Sequence, residues 1–66
     1  MQLIINGQSR DTQSEVLSDL LQELDITAPH YAVALNHQVI PKSQYPSTSL
    51  QDGDQVEIVH AVGGGV

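Results

Sequence analysis

Apolar and polar positions alternate at both ends of the chain and follow a helical stripe between them. Gln2-Leu3-Ile4-Ile5-Asn6 is apolar and β-branched, then meets Gly7. Asn-Gly is a strong two-residue hairpin signal, so a return strand is expected over Gln8 to Thr12. Alternation sends Leu3 and Ile5 into the core and Ile4 outward. Thr12-Gln13-Ser14-Glu15 has the form of a capping box, in which a Thr hydroxyl and a Glu carboxylate satisfy each other's free amides. A helix is predicted from there to about Leu24, because Val16, Leu17, Leu20, Leu21 and Leu24 fall on one stripe.

Asp25 to His30 is a connector, and Pro29 rules out further helix. Tyr31-Ala32-Val33-Ala34-Leu35 reads as a strand, Asn36-His37 as a turn, and Gln38-Val39-Ile40 as a short return strand. Pro41 to Ser49 is polar and predicts a surface loop, closed onto the core by Tyr45 and Leu50. Gln51-Asp52-Gly53-Asp54 is a tight turn. The last strand is expected over Gln55 to Val62, with Val56 and Ile58 inward and Gln55 and Glu57 outward. The expected core is Leu3, Ile5, Val16, Leu20, Leu24, Val33, Leu35, Val56 and Ile58. A hairpin, a helix, a strand pair, a loop and a final strand make an α+β chain. One main helix across a mixed sheet of four to five strands is the β-grasp, or ubiquitin-like, arrangement.

The chain has 66 residues, which bounds it to one small domain. Such a chain buries only about 60% of the surface that its unfolded form exposes. It has no cysteine, so thiolate nucleophiles, disulfides and thiolate zinc sites are excluded. Sulfur chemistry would use sulfur brought from elsewhere. The formal charge is −6, with eight acids against Arg10 and Lys42. Nucleic-acid binding needs clustered cations, so a nucleic-acid partner is not expected. A basic protein partner suits the charge better. No apolar run approaches membrane-spanning length, and no signal peptide is recognised, so a soluble cytoplasmic protein without a membrane partner is expected.

Asp11, Glu15, Asp19 and Glu23 are spaced by four. The last three would form an acidic ridge on the helix, read either as a docking face or as a solvated surface. His30, His37 and His60 sit in separate elements without metal-ligand spacing, and no metal site is expected. No Ser-His-Asp arrangement can be argued.

The chain ends Ala61-Val62-Gly63-Gly64-Gly65-Val66. Consecutive glycines make a poor helix and a poor strand. A thin tail can thread a narrow channel, each residue adding roughly 3.3–3.6 Å of reach. The plain alternative is a frayed end. The expected organisation is a β-grasp domain over 1–62 and a glycine-rich tail over 63–66.

The stretch Ala34-Leu35-Asn36-His37-Gln38-Val39-Ile40-Pro41-Lys42-Ser43, with Leu50-Gln51-Asp52-Gly53-Asp54-Gln55-Val56-Glu57-Ile58-Val59-His60-Ala61-Val62-Gly63-Gly64-Gly65, closely resembles the ThiS family of sulfur carriers in thiamine biosynthesis. The resemblance covers nearly the whole chain. It implies a carrier acted on by other proteins and not an enzyme. A ThiF-like adenylyltransferase, using ATP and magnesium, would convert the glycine carboxylate to an acyl adenylate. Sulfur from the cysteine desulfurase pathway would then replace AMP to leave a thiocarboxylate. A ThiG-like thiazole synthase would receive that sulfur. No cofactor is expected to be bound permanently. The positions carried over are Gly65 and Gly64, with Gly63 as spacer. One departure is Val66, which follows the glycine that is usually activated. A carboxylate on this branched residue is hindered, so the form ending at Gly65 is expected to be the competent one. The exposed side of the last strand, Val59 and Ala61 beside Glu57, is the expected partner surface. Two other readings share the tail: a ubiquitin-like modifier forming isopeptide bonds, and a MoaD-like carrier for molybdopterin. A β-grasp interaction domain with an inert tail is the third.

Overall fold

A computed structural model describes residues 1–26 and 30–60. The chain forms β1 (Gln2–Ile5), β2 (Gln8–Asp11), α1 (Leu17–Glu23), β3 (Tyr31–Leu35), β4 (Gln38–Ile40), a 3-10 helix (Lys42–Ser47) and β5 (Gln55–His60). The strands make one five-stranded sheet in the order β2-β1-β5-β3-β4. β5, last in sequence, lies at the centre. It pairs parallel with β1 over Ile4↔Gln55 and Ile5↔Val56, and antiparallel with β3 from Tyr31↔His60 to Leu35↔Val56. This mixed sheet with one main helix is the β-grasp arrangement expected above.

Both hairpins use turns with positive φ at two successive residues, whose twist matches that of the strands they join. Asn6 and Gly7 have φ of 50° and 83°, and Asn36 and His37 have 50° and 69°. Gly7 meets the requirement without a steric penalty, whereas His37 holds a left-handed conformation that side chains disfavour.

Leu3, Val33, Val56 and Ile58 bury one face of the sheet against Leu17, Leu20 and Leu21 of α1, and Tyr45 and Leu50 close the edge. Ile5, Leu24 and Leu35, expected in the core, are instead half-buried at its margin, packed against this cluster. Leu17 and Leu21 of the predicted stripe join the expected core, Tyr45 and Leu50 close onto it as expected, and Val16, expected within it, stays half-buried outside. Tyr31 and Tyr45 stack with ring centroids 6.3 Å apart.

Three expectations are corrected. The capping box does not form: α1 starts at Leu17, and its N-cap, Val16, makes no side-chain cap. The Leu17 amide donates instead to the Thr48 carbonyl at 2.9 Å, and Leu50 N–H donates to Glu15 O at 2.9 Å. The segment before the helix is thereby tied to a distant loop. The acidic ridge also fails. Glu15 precedes the helix, and Glu23 turns back to accept hydrogen bonds from the Thr12 and Ser14 hydroxyls and Arg10 Nε. Thr12 is buried there. Finally, Lys42–Ser47 is a 3-10 helix where a loop was expected, with Tyr45 buried on its inner side. The expected last strand is seen through His60, and Ala61 and Val62 lie outside the described residues.

Leu20 is fully buried in α1. Leu20→Ala is expected to cost about 2–5 kcal/mol in urea unfolding, through lost transfer energy and a residual cavity. The Thr12 hydroxyl, then Ser14, with Arg10 adding, hold the Glu23 carboxyl below its usual 4.5 against a desolvation that opposes them. Because the folded state lowers this pKa, the stabilisation is full above the unfolded value and is lost as pH falls through the folded one. Glu23→Gln is therefore expected to lower the urea midpoint at neutral pH. Its deficit relative to the parent chain should shrink on acidification below about pH 4.5.

Candidate functional site

β5 is the strand that leads towards the glycine tail, so what holds β5 sets where the tail leaves the domain. On one side β3 pairs with it as far as His60. On the other side the β1 ladder ends early, with Asn6 N–H donating to Val56 O at 2.9 Å. The Asn6 side chain then takes over. Its Oδ1 accepts the Ile58 N–H at 2.8 Å, and its Nδ2 donates to Ile58 O at 3.4 Å. A carboxamide carries the same donor and acceptor as a peptide unit, so Asn6 extends the ladder after its own backbone has entered the turn. Asn36 plays a matching part at the start of β5. Its Oδ1 accepts Gln55 N–H at 3.0 Å, and its Nδ2 donates to Asp54 Oδ1 at 3.1 Å. The turn asparagines of both hairpins thus clamp the strand that leads to the tail.

The sheet has one face under α1 and one open face. Val56 and Ile58 point to the helix, so Gln55, Glu57 and Val59 point the other way. In β3, Val33 is buried and Ala32 and Ala34 face outward. The register sets Ala32 opposite Val59, Ala34 opposite Glu57, and Val39 of β4 opposite Ala34. Val59 and Val39 are 60% and 69% exposed, which makes the open face apolar along a diagonal. His37 Nδ1 lies 3.4 Å from Glu57 Oε1.

Of the expected site residues, Glu57 and Val59 lie together on this exposed face. Ala61, Gly63, Gly64 and Gly65 lie outside the described residues, as does Val66. Sequence reasoning turned Ile4 outward, as found, but missed Asn6 and Asn36 as clamps and Val39 as part of the open face. Alternation in β4 carried a signal for Val39. Among the described residues no group of three or more His, Asp or Glu could hold a metal ion. Also among them, no helix is long and apolar enough to cross a membrane.

The sequence model of the ThiS family matches residues 3–65. The sulfur carrier protein ThiS of Escherichia coli K12 is 32% identical over 66 residues, covering 98% of this chain and 100% of that one. A thiazole synthase of Paramagnetospirillum magneticum is 41% identical over 66 residues, and this chain covers only 20% of that protein's length. The crystal structure of a ThiS protein from Geobacter metallireducens superposes with a TM-score of 0.86 at 30% identity, covering 98% of this chain and 100% of that chain.

Asn6→Gly keeps a residue suited to positive φ and removes the clamp. It is expected to cost about 0.5–1.5 kcal/mol, the usual net worth of a hydrogen bond. Hydrogen exchange of the Ile58 amide should accelerate, while the Leu20 helix amide should follow only the global change.

Proposed function

We propose a reaction role for the glycine tail from one premise: the chain belongs to the ThiS family, whose sequence model runs from residue 3 to residue 65. As a member of that family it is a sulfur carrier of thiamine biosynthesis, a protein that bears the reacting group for other proteins. The observation that carries the finer reading is the extent of this match, which continues through Gly63, Gly64 and Gly65.

In this reading the Gly65 carboxylate is the reacting group. A carboxylate is a poor electrophile, since its charge is shared over two oxygens and neither leaves readily. Attack of one oxygen on the α-phosphorus of ATP expels pyrophosphate and gives a glycyl adenylate, with AMP as the new leaving group. A ThiF-like adenylyltransferase supplies the site, and its magnesium offsets phosphate charge. A persulfide from the cysteine desulfurase pathway attacks the acyl carbon and AMP leaves; a donor thiol then attacks the distal sulfur of the acyl disulfide, breaking its S–S bond to release the thiocarboxylate and form a disulfide on the donor side. The thiazole synthase accepts the tail and takes its sulfur. That proteins named as thiazole synthases contain a segment similar to this chain supports such a synthase as the partner. All of these steps are placed in the cytoplasm. Gly64 and Gly65 leave the acyl carbon open to both nucleophile and phosphate, and Gly63 gives the tail length.

The open face of β5, with Val59 and Glu57, is the docking surface in this reading, and Ala61, outside the described residues, is assigned to it from the sequence alone. Docking through the face opposite α1 leaves the helix and core untouched, so the domain can engage successive partners without repacking.

Intact mass spectrometry tests the reading. The chain ending at Gly65 and the chain ending at Val66 are each incubated with ATP, magnesium, a ThiF-like enzyme and a sulfur source. The form ending at Gly65 is expected to gain an exchange of sulfur for oxygen. The form ending at Val66 should react about a hundredfold more slowly or worse, because misplacement by even about 1 Å can cost that much. Equal rates without trimming would overturn the steric argument. Inertness of both forms with a competent enzyme would overturn the carrier chemistry on Gly65.

A further inference from the structure

Among the described residues, the large apolar side chains left exposed are Ile4, Val39 and Val59. All three lie on the open face, since Ile4 points away from its buried neighbour Leu3. Glu57 stands in their midst. It faces Ala34 across the β3 ladder, Val39 lies beyond Ala34, and Val59 follows on the same strand face. Ile4 lies opposite Gln55 in the adjoining row. Beside the carboxylate is a groove of about 280 Å³ whose lining includes Ile4, Asn6, Gly7, His37, Gln55 and Glu57. Pockets for small molecules run to roughly 300–1,000 Å³ and enclose most of their ligand. This open groove is at the lower limit and suits a single long side chain. At Gly7, even a Cβ would meet nothing within 4 Å, so that end of the groove is clear.

A protein covering Val59, Ala34 and Val39 must also strip water from Glu57. A carboxylate desolvated without a cation is strongly unfavourable. Among the described residues, neither Arg10 nor Lys42 pairs with Glu57. Arg10 is engaged with Glu23 at 3.2 Å, and Lys42 lies in the 3-10 helix. His37 approaches Glu57, but its side chain is 78% exposed at the groove's rim, leaving Glu57 itself 50% exposed. The net charge of −6 favours a cationic partner as well.

We propose that the partner docked on the open face inserts one arginine into this groove, its stem along Ile4 and Gly7 and its guanidinium on the Glu57 carboxylate. Arginine fits better than lysine because its planar fork meets both carboxylate oxygens and it is the more weakly hydrated cation. His37, whose Nδ1 lies 3.4 Å from one oxygen, is displaced when the fork arrives. The inference rests on the reading that the open face docks the thiazole synthase, and it adds the side chain that this partner must present.

The test measures binding of the chain to the purified thiazole synthase of the same organism by titration calorimetry. Glu57→Gln is expected to weaken binding about tenfold or more, as for a charge pair removed from the middle of an interface. Asp19→Asn, on the helix side, should change it less than about twofold, as for a remote surface charge. His37→Gly relieves the left-handed backbone and frees the carboxylate, so affinity should hold or rise. Single Arg→Ala replacements across the synthase should reveal one arginine whose loss equals that of Glu57→Gln, with no further loss when the two are combined. An effect of Glu57→Gln no larger than that of Asp19→Asn would overturn the arginine pairing. If Val59→Asp abolishes binding while Glu57→Gln does not, the docking face stands and the pairing falls. Failure of the parent chain to bind the synthase would remove the docking reading and the pairing together.

Discussion

The burial of one side of β5 is the constraint on which the rest of this small domain depends. β5 is the last strand in sequence and the central strand in space, so the sheet is incomplete until the end of the chain arrives. Val56 is fully buried and Ile58 nearly so, and together with Leu3 and Val33 they form the surface on which α1 lies. Strand geometry then forces Glu57 and Val59 to the opposite side. The inward packing of two residues therefore creates both the core and the exposed face.

The parallel contact between β1 and β5 is short, and its shortness gives Asn6 its importance. Backbone pairing ends at Val56, yet β5 continues to His60 with one side free of β1. The Asn6 carboxamide adds two hydrogen bonds to Ile58 and steadies the strand near its exit. Such a strut suits a carrier. It fixes β5 as far as Ile58 on the side that β1 no longer pairs. Among the described residues, the other face exposes Ile4, Val39 and Val59 around the Glu57 carboxylate.

Much of this was legible in the residues. Asn6-Gly7 and Asn36-His37 announced their hairpins, and both turns have the positive φ values that such hairpins require. The alternation of β1, β3 and β5 located Leu3, Val33, Val56 and Ile58 in the core, and the stripe on α1 placed Leu20 there. The family resemblance carried by the Asp-Gly-Asp turn, the last strand and the glycines pointed to a carrier of sulfur. What misled was local hydrogen-bond chemistry. Thr12 and Glu15 have the spacing of a cap, but Thr12 is drawn to Glu23 and the first helical amide to Thr48. Glu23 has the spacing of a surface ridge, but three donors from the chain before the helix claim it.

The sequence by itself therefore determined the elements, their inward faces, the turns and the chemical character of the tail. These depend on residues within a few positions of one another, where period and backbone preference act directly. Only the tertiary structure decided where α1 begins, why Lys42–Ser47 coils around Tyr45, and which residues share the open face. Each of those depends on groups far apart in sequence competing for the same donor, acceptor or apolar surface. Asn6 reaching Ile58 across 52 residues is the clearest instance. An asparagine in a turn has a local explanation, and its second role exists only once β5 lies beside β1.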